Sequence, residues 1–257
     1  MKIANRPSAP TWADLATTDL PGAKAFYQGL FGWTGDDVPM EEAGGYGMFL
    51  TGGKYVGGYG PCMAPGQPVS WTCYFQVADA DETAAKVAAH GGTVIAAPMD
   101  VFASGRLAVF ADPEGAVFGV WQPREHEGFG VIDQPGSVCW FELMSREPEK
   151  AKAFYTAVFG WGALGSQHAG PATYTEWQLE GQAFSGMMPM TEDFPSEIPA
   201  RWMVCFAVED CDRAATRVTE LGGTVTVEPT TIPPGRFTVV SDPQGGYFSL
   251  ITLAAQP

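Results

Sequence analysis

Basic residues are scarce: 14 Lys and Arg stand against 29 Asp and Glu, giving a formal net charge of −15 over 257 residues. No basic patch interrupts that balance, so an extended polyanion would be repelled, and nucleic acid is not expected as a partner. Long apolar runs are missing as well. None reaches the length of a bilayer-spanning helix, and Met1 to Trp12 lacks the apolar stretch of a signal peptide. The expectation is a cytoplasmic chain with no membrane partner. The five cysteines, Cys62, Cys73, Cys139, Cys205 and Cys211, form no paired spacing, which argues against a disulfide framework or a zinc knuckle. Histidine is rarer still. His90, His126 and His168 stand far apart, and no two share a metal-ligand spacing. His90 reads as a helix-end residue, and all three read as surface side chains.

What the chain does have is repetition. The segment AKAFYTAVFGW, ending at Trp161, echoes Lys24 to Trp33, and each copy is followed by a Trp-led apolar run, a GGTV turn and an Asp-Pro-x-Gly segment. The offset is 128 for Trp12 and Trp140 (140−12) and for Phe26 and Phe154 (154−26). It is 131 for Trp71 and Trp202 and for Gly91 and Gly222, and 130 for Asp112 and Asp242. An offset this steady means one domain duplicated, with small gains and losses in loops. The expected boundaries are 10–123 and 137–253, joined by a linker at 124–136.

Each copy subdivides again. Asp19-Leu20-Pro21 supplies an N-cap and a first-turn proline, and Ala23, Phe26, Tyr27, Leu30 and Phe31 recur at three and four residues until Gly32. Tyr46 to Leu50 and Lys54 to Tyr59 read as strands about Gly52-Gly53. The pattern then restarts: strand Trp71 to Val77, helix Asp79 to His90, strand Thr93 to Ala97, and a hairpin about Asp112-Pro113-Glu114-Gly115. The chain therefore holds four βαβββ units, an α+β fold. Phe26, Tyr27, Phe154 and Tyr155 are helix residues and read as core. Gly44-Gly45 and Gly57-Gly58 precede no helix, so they read as hairpin turns and not as a phosphate cradle.

Four such units, with the FY-x-x-x-FGW helix end and the DPxG hairpin each occurring twice, resemble the vicinal oxygen chelate superfamily of glyoxalases, bleomycin-resistance proteins and extradiol dioxygenases. More narrowly, the tandem arrangement is similar to that of actinobacterial glyoxalase-like proteins. The resemblance implies two tandem glyoxalase-like domains, each curling its sheet into a cup that holds a ligand. It also implies a divalent metal on His, Gln or Glu side chains at fixed strand positions. Those positions fall here on Trp12, Thr72 and Gly119 in the first copy and on Trp140, Met203 and Ser249 in the second. Indole, thioether and glycine are not donors for a hard or borderline cation. No metal and no other cofactor is expected.

Strand alternation puts further residues on the same faces: Asp14 beside Trp12, Glu142 beside Trp140, Tyr74 and Gln76 beside Thr72, Cys205 beside Met203, and Trp121 beside Gly119. Aromatic walls with one acid per cup suit an apolar, planar small molecule, or a cationic amine held by the acid and a ring face. A carboxylate in such surroundings would have a raised pKa and could act as a general base, which makes Asp14 and Glu142 the catalytic candidates. The plainer alternatives are that the acid of at least one copy pairs with Arg106 or Arg236 or with a buried backbone amide, and that Trp12, Trp71, Trp140 and Trp202 simply fill the cups. Three functions follow. The first is a metal-free binding protein for an aromatic ligand, in antibiotic sequestration or as an accessory to secondary-metabolite tailoring. The second is a metal-dependent glyoxalase, lyase or dioxygenase with atypical ligands. The third is an interaction scaffold with filled cores. Duplication within one chain favours a monomer over a dimer.

Overall fold

The structure is a computed structural model, and it describes residues 3–39, 41–165 and 174–254. The first copy contributes β1 (Pro10–Thr17), α1 (Leu20–Phe31), β2 (Thr34–Asp37), β3 (Gly47–Thr51), β4 (Lys54–Pro61), β5 (Ser70–Gln76), α2 (Ala80–Ala89), β6 (Thr93–Val101), β7 (Gly105–Ala111) and β8 (Val117–Pro123). The second contributes β9 (Val138–Ser145), α3 (Pro148–Phe159), β10 (Gly162–Gly165), β11 (Thr175–Leu179), β12 (Gln182–Pro189), β13 (Arg201–Ala207), α4 (Cys211–Glu220), β14 (Thr224–Ile232), β15 (Gly235–Ser241) and β16 (Tyr247–Leu253). Each copy forms one eight-stranded sheet. The orders are β2-β3-β4-β1-β5-β8-β7-β6 and β10-β11-β12-β9-β13-β16-β15-β14, the same path walked twice.

Local chemistry explains the helix limits. Asp19 caps α1 by accepting from the Gly22 amide at 3.0 Å, Pro21 sits in the first turn, and Gly32 ends the helix at φ 74°. Asp79 and Asp210 cap α2 and α4 through the amides of Glu82 and Arg213, and His90 is the C-cap of α2. The cap of α3 is different: Glu147 makes no side-chain cap bond, and Glu114 from the DPEG hairpin accepts from the amides of Arg146 and Glu147 at 2.9 and 3.0 Å.

The residues cluster into two compact units, each drawing on both copies. One comprises Met1–Trp12, Cys73–Gly128 and Trp140–Met203; the other comprises Ala13–Thr72, Phe129–Cys139 and Val204–Pro257. In the first unit, Phe75 meets Trp161, Trp202 and Phe141 edge-on at 4.8–5.8 Å, and Tyr155 stacks on Trp161 at 5.2 Å. In the second unit, Tyr27 stacks on Trp33 at 5.7 Å, and Phe206 meets Trp71 edge-on at 5.3 Å. Ring contacts of this kind add to what burial alone gives.

Each core contains one buried polar chain. Trp202 Nε1 donates to Tyr155 Oη (2.8 Å), which donates to Asp112 Oδ2 (3.0 Å), while Asp112 Oδ1 accepts from the amides of Glu114 and Ala116. In the other unit, Trp71 Nε1 donates to Tyr27 Oη (2.9 Å), which donates to Asp242 Oδ2 (3.0 Å), and Asp242 Oδ1 accepts from the amides of Gln244 and Gly246. Burial raises the pKa of both aspartates and both tyrosines. The backbone amides work against that rise at the aspartates. Tyr27, Tyr155, Phe26 and Phe154 are core, as their helix spacing indicates, and Trp71 and Trp202 fill core positions too. Gly57 and Gly58 lie inside β4, not in a turn, because the hairpin reverses at Gly52-Gly53.

Candidate functional site

The first strand of each copy carries the candidate acids. In the second copy, Glu142 on β9 pairs in register with Gly186 on β12. Tyr174, just before β11, lies across that glycine: a β-carbon there would stand 1.8 Å from the Tyr174 hydroxyl and 2.9 Å from Trp140 Nε1. Trp140 Nε1 donates to Tyr174 Oη (3.0 Å), and Tyr174 donates to Glu142 Oε2 (2.7 Å). Glu142 as a residue keeps some exposure, but Oε1 has lost contact with solvent and has no hydrogen-bond partner among the described residues. Burial of the carboxyl group pushes its pKa up to about 8, against a smaller opposing effect of the two hydrogen-bond donors. This acid is largely protonated at neutral pH.

In the first copy, Asp14 on β1 pairs in register with Gly58 on β4, and Tyr46 lies over Gly58, where a β-carbon would stand 2.0 Å from its hydroxyl. Tyr46 Oη donates to Asp14 Oδ2 at 3.3 Å, a looser bond than its counterpart. The arginines are engaged elsewhere, which corrects the expected pairing. Arg106 binds Asp81 and Asp100, and Arg236 binds Asp212, because these residues lie beside the arginines on exposed strand and helix surfaces. Tyrosines, not arginines, face the two acids. Tyr46 and Tyr174 were missed on the sequence, although their offset of 128 (174−46), the same as that of Trp12 and Trp140, could have paired them with the acids.

Trp12 is buried, and its ring meets His126 edge-on at 4.6 Å; Trp121 meets the same imidazole at 5.8 Å and donates Nε1 to the His126 carbonyl. The half-buried His126 is therefore part of an aromatic wall, a correction to its reading as a surface side chain, and burial lowers its pKa. The linker sequence gives no hint of this, since the contacts are with β1 and β8. Tyr74 pairs in register with Gly119 and its ring occupies the space a side chain there would need; Gln76 pairs with Trp121. Met203, Cys205 and Ser249 are buried. Ser249 donates to the Val204 carbonyl at 3.4 Å, and Cys139 Sγ lies 3.9 Å from Cys205 Sγ. Thr72 is half-buried at the end of its unit's span. His168 lies outside the described residues.

A divalent metal does not fit the residues at the positions the fold would use. Trp12, Thr72, Gly119, Trp140, Met203 and Ser249 supply no carboxylate and no imidazole. Among the described residues, no three His, Cys, Asp or Glu side chains gather into a cluster. Two cavities open elsewhere. One of about 450 Å³ is lined by Leu30, Phe31, Arg213 and Arg217 among others, and one of about 280 Å³ by His90, Pro113, Lys150, Ala153 and Phe154.

Paired βαβββ units with this strand order define a glyoxalase-like α+β architecture. Solved structures agree at the level of fold: the Mn(II)-bound glyoxalase from Novosphingobium aromaticivorans matches with TM-score 0.67 at 18% identity over 96% of this chain and 82% of its own. The 2,3-dioxygenase LapB from Pseudomonas sp. KL28 matches with TM-score 0.66 at 15% identity, covering 97% and 93%. The model of the Glyoxalase/Bleomycin resistance protein/Dioxygenase superfamily matches residues 10–120 and 137–250, and this chain belongs to that superfamily. Two relatives are similar along nearly their whole length. The anthracycline biosynthesis protein DauV of Streptomyces sp. (strain C5) is 39% identical over 96% of this chain and 94% of its own. The putative glyoxylase CFP32 of Mycobacterium tuberculosis is 38% identical over 98% and 97%.

Proposed function

We propose that this chain is a metal-independent, monomeric binding protein for an apolar, planar aromatic small molecule, serving secondary-metabolite tailoring or sequestration. The observation that carries the reading is the Trp140–Tyr174–Glu142 array: an indole, at the first-strand position where the family resemblance places a metal ligand, stands with a phenol and a largely neutral acid. An aromatic surface with one polar anchor favours a flat ligand by ring contact and supplies orientation through a single directed bond. The relatives named for anthracycline biosynthesis support a fused-ring ligand class. No chemical step is assigned to the chain. The test is titration with an anthracycline followed by tryptophan emission. Saturable quenching is expected, weakened about tenfold by Trp140→Leu. A flat response from folded protein would dismiss the reading.

A further inference from the structure

All five cysteines are free, and two of them meet although 66 residues separate them along the chain. Cys139 lies on β9 and Cys205 on β13, neighbouring strands of the second sheet. The Ala207 amide donates to the Ser137 carbonyl at 2.9 Å, which sets the start of β9 against the end of β13. There the two sulfurs stand 3.9 Å apart, and both residues belong to the same compact unit. Neighbouring strands lie about 4.8 Å apart, inside the Cα separation of about 4.4–6.8 Å that a disulfide bridges. The corresponding positions of the first copy hold Thr11 (139−11 = 128) and Tyr74 (205−74 = 131), so the pair belongs to the second copy.

The two thiols are not equivalent. Cys139 Sγ donates toward Cys205, to its carbonyl at 3.5 Å and to its sulfur at 3.9 Å. That bond, burial and the charge of Asp133 raise the pKa of Cys139. Cys139 therefore holds its proton, and Cys205 is the sulfur with a neighbour's S–H directed at it. Each residue keeps only 5% of its surface open, which admits hydrogen peroxide more readily than a bulky disulfide.

We propose that Cys139 and Cys205 are a redox modification site that hydrogen peroxide closes into a disulfide between β9 and β13, with Cys205 attacking and Cys139 resolving. The Cys205 thiolate attacks one peroxide oxygen and the O–O bond breaks, leaving a sulfenic acid on Cys205 and releasing hydroxide. The Cys139 sulfur then displaces hydroxide from the Cys205 sulfur as the S–S bond forms. The two hydroxides take up the two thiol protons. Two thiols and one peroxide thus give one disulfide and two waters, with two electrons passing from sulfur to oxygen. The site is independent of the aromatic-binding reading and stands or falls without it.

The test treats the full chain carrying Cys62→Ser, which removes a half-buried thiol outside the pair, with hydrogen peroxide until the exposed Met63 is converted to its sulfoxide. The protein is then alkylated in denaturant and its peptides are read by mass spectrometry with and without prior reduction. The expected result is a peptide pair joined through Cys139 and Cys205 and released by dithiothreitol, with Cys73 and Cys211 alkylated. Free Cys139 and Cys205 in a sample whose Met63 is oxidised would overturn the proposal, and so would bridges to other cysteines. Single variants then test the roles by trapping sulfenic acid with dimedone. Cys139→Ser is expected to accumulate the adduct on Cys205, and Cys205→Ser to give none on Cys139. The reverse pattern would overturn the assignment of attacking and resolving thiols. The bridge itself is read on the chain that keeps both cysteines, so a variant that fails to fold leaves that result in force.

Discussion

The two copies differ at the acids of their first strands and agree closely in the buried chains that hold their cores together. Trp71–Tyr27–Asp242 and Trp202–Tyr155–Asp112 are the same chain of bonds to within about 0.1 Å, down to the two backbone amides on each aspartate. The first strands have diverged. Glu142 has a tyrosine bond of 2.7 Å and an indole behind that tyrosine, whereas Asp14 has a tyrosine bond of 3.3 Å and its neighbouring indole packs on His126. A buried polar chain tolerates little change, because losing any member strands the others. The acids of the first strands stand outside those chains and are free of that constraint.

The largest effects should come from the shared chains. Asp112→Ala and Asp242→Ala each leave two amides and a tyrosine hydroxyl without their acceptor, and each is expected to cost about 4 kcal/mol in denaturant unfolding. Near-equal losses would support the equivalence of the two chains; a difference above about 2 kcal/mol would break it.

Glu142 comes next and is pH dependent. The unfolded carboxyl ionises near 4.5 and the folded one near 8, so the unfolded state sheds its proton first as pH rises. Stability associated with Glu142 is full below the unfolded value and is lost as pH climbs through the folded one. Glu142→Gln should therefore gain on the parent between pH 5 and 8, by on the order of 3 kcal/mol at the upper end. Asp14→Asn, at a looser bond, should change stability by less than about 1 kcal/mol. Parallel pH profiles of Glu142→Gln and the parent would erase the contrast.

The glycines sharpen it further. Gly186→Ala and Gly58→Ala put a methyl group onto the hydroxyl of Tyr174 or Tyr46. Each should cost about 2 kcal/mol, and Gly186→Ala should also weaken the proposed anthracycline binding, as read by titration.

How far the sequence carried depends on how local each feature is. The caps at Asp19 and Gly32 were legible because cap chemistry lies within a few residues of the helix it ends. The strands β2 (TGDD) and β10 (GALG) were not, since four exposed residues carry no apolar alternation. Tyr27 and Tyr155 read correctly as core, but their bonds could not be read, because Asp242 lies 215 residues from Tyr27. Trp140 and Glu142 were legible as neighbours on one strand face. Tyr174 was not, because it stands outside any periodic segment and only the repeat offset marks it. The cap region of α3 was hidden in the same way: Glu147 stands at the N-cap without a side-chain cap bond, while Glu114 from a distant hairpin holds the amides of Arg146 and Glu147 just before the helix.

That cap gives the smallest expected effect. Glu114→Ala should lower stability by about 1 kcal/mol, close to the loss from Asp19→Ala, with thermal unfolding as the readout. The two helices would then be shown to depend equally on a cap supplied locally and one supplied from a distant hairpin.

The proposed uptake of a flat aromatic ligand by the array around Glu142 requires no metal. Its most direct test is titration of chelator-treated protein with an anthracycline, followed by tryptophan emission before and after a divalent cation is restored. The account predicts the same saturable binding in both cases. Binding that appears only once the cation returns would contradict it.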